Sequence, residues 1–527
     1  MQRSPLFILI LSFLVLFIGV PAYAWQGRMA GMGDPYGLVV DESDFLIHPA
    51  KIANGKGINF YGDYRFTYTG VLKWDNEVDI FSPNGTPLAF YPYKTSGDEM
   101  RHEALVGSSF PLGPGRMGLF FTYTGTRGNY DGNLDEVYPP NPLPTYFDMY
   151  DLKSDLDNFA LRLLYGLPLG GFKLGGEVQF AYRKEEKRAL FNFDIMGGGP
   201  YSLYKNYFMG GIGGTAAIQN TFPFMIPFDS RYWEALFKGS LDGKVGPLDL
   251  EFTLRGGFLF GGNNYYEYER QDPNGTPTHG FNLKGDVTGW QIGGDLWARY
   301  PLANGLTLPF LLRMDYQKKT RDGDGEGQLG YTGFSFEYKN QERNLGITVG
   351  GGVDKELAKG ARIAAGIYYN YFQGKNDIVF NDVLPPSIGG WEINDYSYPD
   401  SIEHQVMLRL AGELELTPAV TLRMGLAPFY GWVKENFKSS WISSSGMGYT
   451  DDVPTDGYHW GIKASIGGTI KFKPITLEPF INGGYQQLHL KGDGDRTGWG
   501  GVPSYLFEMS KDRNEWSIGG GFSIKFN

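Results

Sequence analysis

The chain has 527 residues, a formal net charge of −11 at pH 7, 77 glycines, 35 tyrosines and no cysteine. The acidic balance argues against nucleic acid as a partner, and the lack of cysteine excludes a disulfide framework and a CxxCH haem attachment. Beyond the N-terminus no apolar run approaches about 18 residues, which excludes a helical membrane protein.

The first 24 residues, MQRSPLFILILSFLVLFIGVPAYA, have the three parts of a secretory signal peptide. Arg3 supplies the basic start, an apolar core follows, and Ala22-Tyr23-Ala24 has the small-residue pattern of a cleavage site. We therefore predict that residues 1–24 are removed and that the mature protein is exported. The alternative is an uncleaved membrane anchor, which the short apolar run disfavours.

Residues 25–57 precede the first predicted strand and form a separate N-terminal segment. Its stretch GMGDPYGLVVDESDFLIHPAKIA resembles the segment that opens many FadL-like outer-membrane proteins, which include transporters of long-chain fatty acids and other hydrophobic compounds. His48 stands where that family usually has Asn. The matching positions are Gly31, Met32, Gly33, Asp41, Ser43, Pro49, Ala50 and Ala53. The resemblance implies that this segment lies in the lumen of a barrel as a plug or hatch.

Residues 58–527 are dominated by strict alternation of apolar and polar side chains. In SIEHQVMLRLAGELELT, which begins at Ser401, Leu408 and Leu410 share one parity while Arg409 and Glu413 share the other. Successive strand residues point to opposite faces, so such a segment is a strand that is apolar on one side and charged on the other. The pattern predicts about 16 strands. They start near residues 58, 101, 117, 157, 172, 231, 248, 286, 306, 342, 361, 401, 420, 458, 475 and 513.

The links between these strands alternate strictly in length. Short links such as GPGR, KVGP and TPA supply tight turns, because glycine and proline fit their dihedral angles. The long links lie at approximately 75–100, 133–156, 195–230, 271–285, 325–341, 381–400, 442–457 and 495–512. Outer-membrane barrels have this asymmetry, with short periplasmic turns and long extracellular loops.

These patterns predict an all-β fold, a transmembrane antiparallel β-barrel in the cell outer membrane with lipid around its apolar face. The C-terminal segment WSIGGGFSIKFN agrees, because its alternation places Phe526 on the apolar face. It resembles the C-terminal assembly signal of bacterial outer-membrane barrels, although Asn527 follows the aromatic residue here. The alternative is a soluble sandwich of two sheets, which explains neither the signal peptide nor the loop asymmetry.

The polar parity of the strands carries many charged side chains, and a barrel of about 16 strands is wide enough for an aqueous lumen. We therefore predict a hydrated pore. Its candidate lining residues are Arg65, Arg101, Glu103, Arg162, Arg183, Arg255, Arg299, Arg313, Arg362, Arg409 and Arg423. The alternative for any one of them is an ion pair with a neighbouring strand that only solvates the wall.

The predicted loop 195–230 is the longest and carries almost no charge, so we do not expect it to extend into water. In general porins, which this topology resembles, the third loop folds into the lumen and narrows it. The candidate constriction residues are Tyr201, Tyr204, Tyr207, Phe208 and Met209. Packing against other loops as an outer cap is the alternative.

The segment RDGDGEGQ places Asp322, Asp324 and Glu326 at alternate positions, partly like a calcium-binding loop. It lacks the Glu that such loops have at position twelve, so solvated loop tips are the alternative to a Ca²⁺ site. No other cofactor is predicted. No constellation of residues indicates an enzyme.

Three functions are compatible with this sequence. The favoured hypothesis is an outer-membrane porin for passive diffusion of small polar solutes or ions, because the predicted lumen is charged. A homo-oligomer is compatible with this hypothesis, by analogy with general porins. The second is a FadL-like transporter of hydrophobic compounds, which the N-terminal resemblance implies. The third is a barrel sheath for a partner such as a multihaem cytochrome.

Overall fold

The computed structural model describes residues 27–526 with internal gaps. The gaps lie at residues 35–36, 86, 137–144, 194–221, 272–276, 330–331, 383–390, 393–395, 444–447, 473–474 and 502–503. The predicted signal peptide and the five candidate constriction residues fall outside the described residues.

Long antiparallel strands make up most of the described chain. They are β1 (Asn59–Phe81), β2 (Pro87–Leu112), β3 (Gly115–Glu136), β4 (Thr145–Leu169), β5 (Phe172–Phe193), β6 (Phe222–Val245), β7 (Leu248–Gln271), β8 (Pro277–Pro301), β9 (Leu306–Leu329), β10 (Thr332–Ala358), β11 (Ala361–Asp382), the two-residue β12 (Trp391–Glu392), β13 (Tyr396–Thr417), β14 (Val420–Ser443), β15 (Gly448–Phe472), β16 (Ile475–Trp499) and β17 (Tyr505–Phe526).

The sheet closes on itself. Each long strand pairs with its neighbours in the sequence, β11 pairs directly with β13, and β1 pairs with β17 as well as β2. Phe526, the last residue of β17, lies opposite Phe60 in this closing pair. The 16 long strands therefore form a closed barrel, to which the short β12 adds only an edge pairing with β14.

Each of the 16 predicted strands corresponds to an observed one, and the two sets differ mainly at one end of the barrel. At the short turns the boundaries agree closely, as at β5, β7 and β9. At the other end the strands continue far into the predicted loops, so that β2 begins at Pro87 and β9 extends to Leu329. The backbones of neighbouring strands still pair there, although the side chains are polar and no longer show the apolar alternation from which the strands were predicted.

The outer face of the barrel carries an apolar belt. Phe258 and Ile367 are each 61% exposed, which no soluble core would allow. On β8 the belt is bounded by Trp290 and Tyr300, ten positions apart, which matches the roughly 9–11 residues of a tilted strand that crosses a bilayer. Within the described residues no helix has the length and apolar content needed to cross a membrane.

A girdle of aromatic pairs surrounds the barrel at the edge of this belt farther from the short turns. Such rings are typical of the membrane interface. The pairs, with ring centroids 4.9–6.2 Å apart, are Tyr68–Trp516, Tyr123–Phe159, Tyr182–Trp233, Trp290–Tyr316, Tyr430–Tyr458 and Trp460–Tyr485. The strands continue beyond this girdle as a tall collar whose outer face bears exposed ion pairs such as Arg127–Asp157.

The described residues of the N-terminal segment form three short helices. They are α1 (Gly27–Gly31) and two 3-10 helices, Glu42–Leu46 and Pro49–Asn54. Asp41 caps the first 3-10 helix by accepting from the Ser43 backbone N–H, and the Asp44 carboxylate accepts in return from the Asp41 N–H. Pro49 begins the second, where its missing N–H costs nothing.

Candidate functional site: a lumen occupied by the N-terminal segment

The described residues of 27–57, here called the plug, lie inside the barrel near the short turns. The helix Pro49–Asn54 packs on β3 to β6, and α1 packs on β14 to β17 on the opposite wall. Two inward-facing glycines make this fit possible. A Cβ at Gly175 would lie 2.0 Å from the Ala50 N, and one at Gly425 would lie 2.1 Å from the Met32 O. The plug backbone therefore touches the wall backbone directly.

Arg28 joins the plug to one wall. Its guanidinium lies 2.9 Å from the Glu413 carboxylate of β13 and 3.2 Å from the Asp41 carboxylate of the plug. Its backbone N–H donates to Glu478 of β16. Arg423 of β14 contacts both Glu413 and Glu478, at 2.7 and 3.2 Å. Three carboxylates and two guanidiniums thus form one cluster that only the docked plug completes.

A second cluster joins the plug to the opposite wall. The Lys51 ammonium lies 2.7 Å from Asp44 of the plug and 2.8 Å from Glu251 of β7. Glu251 also pairs with Arg299 of β8. His48 contacts the Thr253 hydroxyl at 2.7 Å through its Nδ1. All these side chains are buried, so their charges are compensated by each other and not by bulk water.

The plug carbonyl of Leu46 is held by two cations of the wall. Arg162 of β4 donates to it at 2.8 Å and Lys238 of β6 donates to it at 2.9 Å. Both cations also contact Glu177 of β5, at 2.7 and 3.1 Å. Two positive charges therefore share one carboxylate and one backbone oxygen, which fixes the middle of the plug.

Burial shifts the titration of two plug residues in opposite directions. It raises the pKa of Asp44 to about 6, since neighbouring Asp41 and Glu251 add to the effect and Lys51 only partly opposes it. It lowers the pKa of His48 to about 3, although the nearby Glu251 favours the charged imidazole. The docked plug thus holds a neutral His48 at neutral pH.

Between these ionic contacts lies an apolar seam, where plug and wall meet through uncharged side chains, with Arg409 of β13 against its Tyr368 and Met407. Leu38 packs against β10 and β11, and a Cβ at Gly366 would lie 2.5 Å from its methyl group. The seam consists of Met29, Met32, Leu38 and Val39 of the plug with Trp297, Leu311, Ala364, Tyr368, Met407, Ala411, Ala427 and Phe429 of the wall.

The structure places the residues of the predicted hatch within this docked segment. Gly31 and Gly33 approach β14 and β15, and the Gly31 carbonyl accepts from the Ser465 hydroxyl. Asp41, Ser43, His48 and Pro49 are buried. Sequence reasoning missed their wall partners Gly175 and Gly425, which look like ordinary strand glycines. Their only signal is that they lie on the polar parity, where glycine exposes backbone to the lumen.

The predicted pore-lining residues lie on the inner wall, and most of them are paired. The pairs are Arg65–Asp63, Arg101–Glu103, Arg162–Glu177, Arg183–Glu234, Arg255–Asp295, Arg299–Glu251, Arg313–Asp295, Arg362–Asp354 and Arg423–Glu413. Arg409 instead donates to the backbone oxygen of Asp34 and lies 4.6 Å from the Tyr368 ring. The alternative prediction, an ion pair with a neighbouring strand, therefore describes most of these residues. Several of them also hold the plug.

The candidate calcium ligands lie in a strand and not at a loop tip. Asp322, Asp324 and Glu326 occupy alternate positions of β9, which places them on one face, and all three are exposed. Within the described ranges no group of three acidic or histidine side chains is arranged to hold a metal ion. The Ca²⁺ site stays a prediction.

No protein-family model matches the chain, and no curated protein matches it. Matching solved structures include the Pseudomonas putida toluene transporter TodX, at 11% identity over 96% of this chain and 98% of that chain, with a TM-score of 0.41. A Pseudomonas aeruginosa FadL homologue matches at 11% identity over 96% and 99%, with a TM-score of 0.40. The Ralstonia pickettii toluene transporter TbuX matches at 11% identity over 96% and 99%, with a TM-score of 0.38.

The assignment to a membrane rests on features of this chain itself. Its sheet is closed, so no strand edge is left without hydrogen bonds in lipid. Its apolar belt has the height of a bilayer crossing, and an aromatic girdle marks one border. The chain is a 16-stranded outer-membrane β-barrel whose N-terminal segment lies within the lumen.

Proposed function

We propose that this barrel is an outer-membrane channel for small apolar compounds, a FadL-like function, and not an open porin for polar solutes. The plug is the observation that carries the proposal. It spans the lumen between β3–β6 and β14–β17, where a porin needs a continuous aqueous path. The sequence favoured the porin and gave the FadL-like transporter as the alternative, and the proposal reverses that order.

A polar solute that passes the plug would have to separate buried ion pairs. The contacts of Lys51 with Asp44 and Glu251 are at 2.7 and 2.8 Å and largely shielded from solvent. Removing one partner from such a pair costs about 3–5 kcal/mol, because the other charge stays buried. Free diffusion of small ions is therefore expected to be slow while the plug is docked.

An apolar solute has a less costly path along the apolar seam. Met29, Met32 and Met407 line it, and methionine side chains rearrange readily because they are unbranched and polarizable. A small hydrocarbon that takes the place of the Met29 or Met32 side chain there breaks no side-chain hydrogen bond and separates no ion pair. This seam supports an apolar cargo.

The sheath hypothesis has less support from this arrangement. A protein partner threaded through the barrel would meet the plug near the short turns and would have to displace Arg28, Lys51 and Leu46 from the wall contacts described above. The docked plug therefore favours passage of small molecules.

The proposal is tested by uptake into proteoliposomes. Vesicles with a lipopolysaccharide outer leaflet, which slows direct entry of hydrocarbons, should take up a small aromatic hydrocarbon faster when they contain the purified barrel than when they lack it, while a sugar and a small amino acid should enter slowly. The variant Met32→Lys places a charge in the apolar seam and should take up the hydrocarbon more slowly than the native barrel does. The proposal would be contradicted if both polar solutes entered rapidly and the barrel did not increase the rate of hydrocarbon uptake.

A further inference from the structure

Phe372 is an exposed large apolar side chain that faces the lumen and not the lipid. Among the described strands, the exposed large apolar residues lie on the parity that faces lipid, with Phe372 as the exception. It is 42% exposed and lies in register with Gly346 and Glu403, whose parity faces the lumen. An aromatic ring exposed to the lumen gains free energy when a ligand covers it, so Phe372 is a candidate ligand contact.

A row of amide side chains runs directly above this ring. Gln291, Gln317 and Asn344 lie in register on β8, β9 and β10, and all three face the lumen. The Gln291 amide donates to Glu234. The side chains of Gln317 and Asn344 make no hydrogen bond with any group in the described part of the chain. Their donors and acceptors are therefore free in a lumen where most polar groups are paired.

The ring and the amides border the same space. One cavity of about 310 Å³ contacts Arg255, Asp315, Gln317, Asn344 and Phe372. A second, of about 290 Å³, contacts Asn344 and Phe372 from the other side, together with Glu342, Asn376 and Ser401. Asn376 adds a buried side-chain oxygen with no hydrogen-bond partner among the described residues.

Glycine keeps this space open beside the ring. Gly346 lies opposite Phe372 on β10, and a Cβ added to it would meet nothing within 4 Å. The wall therefore has an aromatic face, an empty neighbouring position and a row of free amides, all within two adjacent residue rows of β8 to β11.

We propose that this patch, the Phe372 platform, is a binding subsite for neutral saccharides. A pyranose ring has one face of C–H groups, which can lie against the Phe372 ring, and a rim of hydroxyls, which can donate to and accept from Gln317 and Asn344. Asp315 and Arg255, paired with each other at the edge of the cavity, offer further acceptors and donors.

A hydrocarbon fits the same patch poorly. It would cover the ring but would also remove water from Gln317 and Asn344 without replacing their hydrogen bonds, which costs about 1–3 kcal/mol for each group left unsatisfied. A saccharide replaces those hydrogen bonds, so the chemistry of the patch selects a solute with both an apolar face and hydroxyl groups.

The subsite is separate from the apolar seam. Phe372 lies four residues beyond Tyr368 of the seam on the same face of β11, which is about 13 Å along the strand. It lies at the level of the aromatic girdle, since Tyr371 beside it faces outward and contacts His404. The inference therefore goes beyond the proposed function and does not depend on which solute passes the plug.

The test is calorimetric titration of the full-length barrel in lipid nanodiscs with methyl glucoside, maltose and cellobiose. We expect saturable binding of at least one of them. Phe372→Ala should weaken it about tenfold, as truncation of a central aromatic contact does. Asn344→Ala and Gln317→Ala should weaken it less, and Gly346→Gln should block the space beside the ring.

Phe310→Ala is the matched control, because Phe310 is 44% exposed on β9 but faces lipid. It should bind the sugars as the native barrel does, and heat-modified gel mobility checks that every variant is folded. Absence of sugar binding at tens of millimolar, or equal affinities in Phe372→Ala and Phe310→Ala, would overturn the proposal. So would a platform that binds toluene through Phe372 but no sugar.

Discussion

At the scale of single residues, contact between the plug and the wall depends on the absence of side chains at a few wall positions. The nearest atoms to a Cβ at Gly425 are the Met32 O, the Met32 C and the Gly33 N, which are all backbone atoms and cannot move aside independently. A methyl group there is compatible with the strand but not with the docked plug.

Gly425→Ala is therefore expected to loosen the plug without unfolding the barrel, at a cost of about 1–3 kcal/mol typical of overpacking. Limited proteolysis of the folded protein should cleave within residues 27–57 faster than in the native chain. Gly239→Ala is the control, because a Cβ at Gly239 meets nothing within 4 Å. Equal cleavage rates in the two variants would show that the contact at Gly425 does not hold the plug.

His48 gives plug docking a dependence on pH. Its pKa is lowered to about 3 by burial, so docking favours the neutral imidazole. This contribution is complete above the ordinary pKa of about 6.5 and is lost as the pH falls toward 3, at about 1.4 kcal/mol per pH unit. The pKa of Asp44, raised to about 6, acts in the opposite sense and strengthens docking as the pH falls from 6 toward its ordinary value.

Comparison with His48→Gln separates the two effects, since Asp44 is present in both proteins. Between pH 6.5 and 5, docking in the native chain should weaken relative to the variant by about 2 kcal/mol. Protease protection of the plug, followed across this pH range, measures the difference. Parallel pH profiles for the two proteins would mean that His48 does not change its charge on release.

At the scale of the strand, the two-residue period made most of the fold predictable. Leu408, Leu410 and Arg409 already separate the lipid face of β13 from the lumen face, and the structure keeps that separation. The two-residue alternation is absent where both faces of a strand are exposed to water. In β9 the stretch after Gln317 is polar on both sides, and the sequence predicts a loop from about residue 325, although the strand pairs with β8 and β10 as far as Leu329.

Leu410→Arg should destabilise the barrel in lipid by about 2–4 kcal/mol, since it places a charge on the lipid face within the belt. Gln405→Arg on the same strand faces the lumen and should change stability far less. Urea unfolding in lipid vesicles measures both. Similar losses of stability in the two variants would contradict the assignment of the two faces.

At the scale of the whole molecule, the sequence predicted a charged lumen, and what it left open was how those charges are paired. Arg162, Arg299 and Arg423 read as pore-lining cations, but each belongs to a cluster that includes plug atoms. The alternation places a residue on the inner face but does not say which distant segment lies against it. Only the fold brings Arg28 to Glu413, 385 positions away.

The cluster around Arg28 is therefore the most direct point at which to open the lumen. Arg28→Gln removes one of the two guanidiniums that balance Asp41, Glu413 and Glu478, and leaves those carboxylates to repel one another. Arg127→Gln is the matched control, because Arg127 pairs with Asp157 on the exposed outer face of the collar. It removes the same charge but lies far from the plug.

The deciding measurement is the ion conductance of single barrels in planar bilayers. If the plug closes the lumen to polar solutes, the native barrel and Arg127→Gln should conduct little, while Arg28→Gln should show stepwise opening. A native barrel that conducts continuously, at the level of an open 16-stranded pore and unchanged in Arg28→Gln, would contradict the account.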